Sequence, residues 1–155
     1  MTPAINAAKK ARIVFKVHEY AHDPECDAYG QEAVDKMGLP AERVFKTLVV
    51  ECGNRELAVG VIPVSSRLNM KLVAKALGVK KADMAAAADV ERATGYVLGG
   101  VSPLGQKKRL RTLIDSSALT FPTIFVSAGR RGLDMELAPQ DLKRLTSGSF
   151  EDLCQ

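Results

Sequence analysis

Tryptophan is absent from this chain of 155 residues, and aromatic residues make up only 5% of it. The core is therefore expected to be aliphatic, built from Val, Leu, Ile, Ala and Met. Cysteine is scarce as well. Cys26, Cys52 and Cys154 are odd in number, widely spaced and form no C-x-x-C pair, which argues against a disulfide framework and for a reducing compartment. No apolar run approaches the roughly 20 residues of a membrane-spanning helix. The opening Met1-Thr-Pro-Ala-Ile-Asn6 lacks the basic and apolar regions of a secretion signal. These absences predict a cytoplasmic protein with no membrane partner. G-x-S-x-G, a Walker loop and a strand–GxGxxG–helix arrangement are missing too, which removes the usual serine-hydrolase, nucleotide-triphosphate and dinucleotide readings.

What is present reads as an ordinary globular protein, 46% hydrophobic and 26% charged, and its length fits one domain over residues 1–155. The net charge is +4. Lys107, Lys108, Arg109 and Arg111 alone equal that excess, and no Asp or Glu occurs between Glu91 and Asp115. Just before this run, Gly95, Gly99, Gly100, Gly105 and Pro103 crowd into a short segment. Glycines let backbone N–H groups approach a ligand closely, and such groups turned one way form a nest for anions. The segment reads as a site for a phosphate or for an oxygen that becomes negative. The alternative is a surface loop with a solvated basic flank.

Punctuation by Gly and Pro divides the chain. Thr2-Pro3 predicts an N-cap and a helix through Lys10. Residues 13–20 alternate as a strand, with Phe15 and Val17 on one face and Lys16, His18 and Tyr20 on the other. Helices are expected over 31–37, 69–77 and the alanine-rich 82–93, stopped by Gly38, Gly78 and Gly95. Residues 45–51 and 56–62 read as a hairpin around a Gly-Asn turn. Strands at 111–114, 123–127 and 133–137 and a closing helix from Pro139 to Leu145 complete the order. Hairpins mixed with helices predict an α+β fold with a mixed, mostly antiparallel sheet.

Few residues carry chemistry. Lys46 begins an otherwise apolar strand, so its ammonium either reaches solvent from a sheet edge or enters a cleft, where it could stabilise an oxyanion. Tyr20 could offer a hydroxyl to the same cleft. Asp134 and Glu136 share one face of their strand and are expected in solvent unless that face lines a pocket. His18, His22 and Cys26 have a four-residue spacing, but Pro24 and the preceding strand break the helix that a metal site would need, so no metal is expected. No cysteine has the setting of a catalytic nucleophile.

Several motifs together resemble the YbaK/EbsC family. They are Met1-Thr-Pro-Ala-Ile5, Phe45-Lys46-Thr47-Leu48, Gly95-Tyr96, Gly99 to Arg109, Val126-Ser127 with Gly129-Arg-Arg-Gly132-Leu133, and Ala138-Pro-Gln-Asp-Leu142. That family comprises bacterial Cys-tRNA(Pro) deacylases related to the editing domain of bacterial prolyl-tRNA synthetase. The resemblance implies hydrolysis of a mischarged aminoacyl ester, with Cys-tRNA(Pro) as substrate and prolyl-tRNA synthetase as partner, and with no cofactor. It implies Lys46 as the functional lysine, and Gly99 and Gly100 as the wall against the aminoacyl carbonyl. Tyr20, Thr47, Ser127 and Asp134 follow as pocket residues, and Lys107, Lys108, Arg109 and Arg111 as contacts to the tRNA backbone. In the family the substrate's own thiol is thought to attack the ester. A deacylase for Ala- or Ser-tRNA, or a tRNA- or nucleotide-binding module without chemistry, are the alternatives.

Overall fold

A computed structural model describes residues 1–155. The chain runs α1 (Pro3–Ala11), β1 (Phe15–Glu19), α2 (Tyr29–Met37), β2 (Phe45–Cys52), β3 (Leu57–Pro63), α3 (Met70–Leu77), β4 (Ala82–Met84), α4 (Ala87–Thr94), β5 (Arg111–Asp115), β6 (Ile124–Arg130), β7 (Leu133–Leu137), α5 (Pro139–Thr146) and β8 (Ser149–Glu151). The strands form two sheets, β1-β7-β6 and β4-β2-β3-β5-β8. All pairings are antiparallel except β3 with β5 and β5 with β8. This is the α+β arrangement expected from the sequence.

Local chemistry explains the helix ends. The Thr2 hydroxyl accepts from Ile5 N–H at 3.2 Å and donates to the carbonyl of Ala128, so the cap of α1 also fastens it to β6. Asn69 Oδ1 accepts from the N–H groups of Lys71 and Leu72 and starts α3. Gly38, Gly78 and Gly95 follow α2, α3 and α4 in the left-handed conformation that lets a helix stop.

The core is aliphatic, as the missing aromatics require. A large cluster containing Val59, Val61, Ile114, Ile124, Met135, Leu137 and Leu142 fills the space between the sheets. A second, with Val50, Ile62, Leu77, Leu113 and Leu153, lies under α3 on the other face of the five-stranded sheet. Each such side chain removed from water contributes about 1.5–3 kcal/mol.

Two expectations need correction. Residues 82–93 are not one helix: Ala82–Met84 pairs antiparallel with Val50–Cys52, and the helix starts only at Ala87. Alanine favours helix, but here edge pairing on β2 and burial of Ala82 override that weak preference. The C-terminal residues also form a strand, β8, beside β5. The tail beyond it is tied down by Asn69 N–H to the Leu153 carbonyl at 2.7 Å and by Leu153 N–H to Asp115 Oδ1 at 3.0 Å.

The two sheets meet where Val44 bridges Phe125 in parallel and Phe125 N–H donates to the Arg43 carbonyl at 3.1 Å. Val44 and Phe125 pack with Ala33 and Val34 of α2. That junction places the first residues of β2, the polar face of β1-β7-β6 and one side of α2 around a common space.

Candidate active site

The register of β1-β7-β6 sorts its side chains by face. His18 stands opposite Asp134 and Lys16 opposite Glu136, while Ser127 stands opposite Asp134 on the other side. Residues directly opposite share a face, so Tyr20, Asp134 and Ser127 come together on the polar face while Leu133, Met135 and Leu137 enter the core. Against this face lies a cavity of about 190 Å³. Phe45 to Leu48 of β2 form one wall, Tyr29, Gly30 and Ala33 of α2 another, and Gly99 and Val101 a third.

Six of the seven side chains or glycines expected at a pocket line this cavity: Tyr20, Lys46, Thr47, Gly99, Ser127 and Asp134. Gly100 does not line it, and its N–H is spent on the Val97 carbonyl at 2.9 Å. The glycine loop therefore does not offer two free donors. Gly99 N–H makes no hydrogen bond within the protein, and its residue has φ +84°. A Cβ there would come within 2.6 Å of the Tyr29 ring and 2.9 Å of Arg131 Nε. Glycine is needed at 99 on both counts.

Three polar groups of the cavity are left without partners by the protein. Lys46 is half-buried and forms no ion pair. Burial above all, with Arg67 nearby, holds its ammonium below the ordinary lysine pKa, against a smaller opposite pull from Cys154. Thr47 Oγ1 is buried with no hydrogen-bond partner, which is rare in native proteins. Asp134, 6% exposed, is pushed up to about 7 by burial. Tyr20 is pushed up to about 12 by burial and by the charge of Asp134. Asp134 is thus not the solvated residue that alternation alone suggested. Glu136 is not solvated either. Thr123 Oγ1 at 2.7 Å, His18 Nε2 at 3.0 Å and Arg43 Nη2 at 3.4 Å hold it, and the Thr123 bond, opposed by burial, leads the lowering of its pKa.

No cysteine or histidine lines the cavity. Cys26 and Cys52 do not line the cavity. Cys154 lies near Lys46, but burial and Asp115 push its thiol up to about 11, so it stays protonated at neutral pH. His18 and His22 are engaged by different carboxylates, Glu136 and Glu32.

The basic run lies outside the cavity. Arg111 donates to the carbonyls of Leu77 at 2.9 Å and Ala76 at 3.2 Å, closing the end of α3. Arg109 donates to Ser147 Oγ at 2.7 Å at the end of α5. Lys107 and Lys108 are exposed and free of ion pairs. Sequence reasoning missed Tyr29, Gly30, Ala33, Val44 and Val64 of the lining. Tyr29 and Gly30 follow Pro24 and read as loop, so nothing local marked them as a wall.

The profile of the aminoacyl-tRNA editing domain matches residues 23–145. The proposed Cys-tRNA(Pro)/Cys-tRNA(Cys) deacylase EbsC of Enterococcus faecalis is 36% identical over 152 residues, covering 98% of this chain and 92% of EbsC. YwhH of Bacillus subtilis, an uncharacterised protein, is 26% identical over 126 residues, covering 81% of this chain and 80% of YwhH. Among solved structures, a proposed trans-editing enzyme for prolyl-tRNA synthetase superposes with a TM-score of 0.84 at 22% identity, over 100% of this chain and 99% of that one. The hypothetical protein APE2540 superposes with a TM-score of 0.88 at 22% identity, over 99% of each chain. These two likenesses concern the fold. The family profile and the EbsC identity establish that the chain belongs to the aminoacyl-tRNA editing domain family, in the YbaK/EbsC branch, whose chemistry is deacylation.

Proposed function

We propose that this chain, acting as one unit over residues 1–155 in the cytoplasm, hydrolyses the ester of Cys-tRNA(Pro) in trans. The observation that carries the reading is the convergence of an unpaired ammonium (Lys46), a partnerless buried hydroxyl (Thr47) and a donor-free carboxyl (Asp134) on one cavity lined by no cysteine or histidine. Such groups await partners that a substrate brings. The names of EbsC and of the trans-editing structure support the amino acid and the prolyl-tRNA synthetase connection.

The cavity binds the cysteinyl group with its carbonyl toward Gly99 and Lys46. Asp134, as carboxylate, pairs with the substrate's α-ammonium, and Thr47, Ser127 and Tyr20 supply hydrogen bonds. The substrate sulfur forms a bond to the carbonyl carbon, the carbonyl electrons move onto oxygen, and the C–O bond to the ribose then breaks. The thiol proton ends on the departing 3′-oxygen, and water later opens the thiolactone to free cysteine. An internal nucleophile brings a large effective molarity, so the protein needs only to orient it and to stabilise the oxyanion with the Lys46 ammonium and Gly99 N–H. Editing of this kind is needed because a size difference near one methylene gives a synthetase only about 1–3 kcal/mol of discrimination.

The test is a deacylation panel with Cys-, Ser- and Ala-tRNA(Pro). Rapid loss of cysteine alone is expected. Equal rates for Cys and Ser would show that water, not thiol, attacks. Preference for Ala or Ser would reassign the substrate. No turnover of any would leave a binding module.

A further inference from the structure

We propose that Arg131 is a positioning residue that receives the 5′-phosphate of the tRNA's terminal nucleotide, an inference that rests on the deacylase reading above. Arg131 lies in the turn between β6 and β7 and is exposed. Its Nε–H donates to the Leu98 carbonyl at 2.9 Å. Its guanidinium carbon sits 4.4 Å over the centre of the Tyr29 ring. A Cβ on Gly99 would reach 2.9 Å from Nε. Tyr29 and Gly99 both line the cavity, so an exposed group touching both stands at its rim.

The guanidinium is fixed yet uncommitted. Neighbouring arginines have carboxylates: Arg130 pairs with Glu19 and Arg43 with Glu136. Arg131 has none within ion-pair distance, and the N–H groups of its two terminal nitrogens find no acceptor in the protein. Stacking occupies one face and Nε is bound, so the outer edge remains as a planar fork. That edge suits the paired oxygens of a phosphate. Holding the side chain in place beforehand removes much of the entropy lost on binding.

Substrate geometry selects which phosphate. With the aminoacyl carbonyl against Gly99, the ribose leaves past the Gly99–Tyr29 rim. The first anion it carries is the 5′-phosphate of that same nucleotide, one sugar away. The cations from Lys107 to Arg111 do not line the cavity, and two of them are bound to helix ends.

The experiment compares two small esters, 3′-O-cysteinyl adenosine and 3′-O-cysteinyl adenosine 5′-monophosphate. Wild-type protein is expected to show a KM about tenfold lower for the phosphorylated ester, the scale of a charged hydrogen bond. In Arg131→Ala that advantage should vanish, with the loss confined to the phosphorylated ester. Arg131→Lys, which keeps charge without the fork, should recover only part of it. A wild type indifferent to the phosphate would overturn the assignment, as would an equal loss on both esters in Arg131→Ala, which would leave Arg131 only a prop for Tyr29. A wild type that cleaves neither ester while also failing on Cys-tRNA(Pro) would overturn the deacylase reading itself.

Discussion

Asp134 and Glu136 stand two residues apart on one face of β7, and their surroundings drive their acidities in opposite directions. Glu136 is held by Thr123, His18 and Arg43 and lies below the usual carboxylate range. Asp134 has burial and no donor, and is pushed up to about 7. Opposed shifts on neighbouring acids mark divided roles: one carboxylate is structural, and the other is poised to change charge near neutral pH.

The stability consequence has a definite sign. A carboxyl raised from 3.8 to about 7 on folding stabilises the protein fully below pH 4 and loses that contribution as pH rises through 7. At about 1.4 kcal/mol per unit the loss amounts to a few kcal/mol well above pH 7. Asp134→Asn should melt close to wild type below pH 4 and several degrees higher at pH 8.5. A melting difference that does not change with pH would show that Asp134 ionises normally.

Lys46→Ala removes the unpaired ammonium from the cavity. Loss of one oxyanion donor costs about 2.7–4 kcal/mol, or roughly 10²–10³ in kcat, and single-turnover deacylation of Cys-tRNA(Pro) should fall by that factor. The fold should survive, because Lys46 makes no ion pair. Its depressed pKa further places the alkaline fall in activity below the ordinary lysine range of about 10.4. Near-normal turnover by Lys46→Ala would remove it from the mechanism.

Gly99 and Gly100 are adjacent but answer to different constraints. Gly99→Ala places a methyl against the Tyr29 ring at a positive φ, so it should displace the cavity wall and lower deacylation at least tenfold. Gly100→Ala meets the Arg130 backbone, with its Cα at 2.8 Å, and should act through stability instead. Strain of this kind costs of order 1–3 kcal/mol. Thermal melts and kinetics on both variants separate the two. Equal melting and equal activity would show that the loop accommodates a side chain freely.

Cys26, Cys52 and Cys154 replaced together by serine should leave deacylation within a few-fold of wild type. Serine retains a hydroxyl where the Cys154 thiol lies against Asp115 and Ser66. Loss of activity in this variant, with the melting temperature kept, would point to an enzyme thiol after all.

The part of this molecule legible in its sequence is the part set by short-range rules. Alternation in β1 and β7 put Tyr20 and Asp134 on the face opposite Phe15 and Met135, and Thr2, Gly38, Gly78 and Gly95 mark helix ends by mechanisms that need only nearby residues. Lys46, Thr47 and Ser127 became a group through motif resemblance, and the Val44–Phe125 junction of the two sheets brings them to one cavity. What stayed hidden depends on contacts distant in the chain. Ala82–Met84 is a strand because β2 has a free edge, and Ser149–Glu151 because β5 has one. The α2 wall exists because Val44 bridges Phe125 across the two sheets. The basic run, conspicuous in sequence, turned out to contain two structural ties.

That division of the basic run is itself testable. Arg111 closes the end of α3 through two carbonyls, and Arg109 holds the end of α5 through Ser147, whereas Lys107 and Lys108 are exposed and unpaired. Arg111→Ala should therefore lower the melting temperature, since it strands helix-end carbonyls and removes a cation favourable there, each worth about 0.3–1 kcal/mol. Lys107→Ala with Lys108→Ala should leave melting unchanged. If those two lysines touch RNA phosphates, the double variant should also make tRNA binding less salt-dependent, lowering the slope of log K against log salt by about 0.7–0.9 per lost contact. A slope that stays at the wild-type value would mean that the face carrying Lys107 and Lys108 points away from bound tRNA, leaving the cavity rim as the route by which the acceptor end is held.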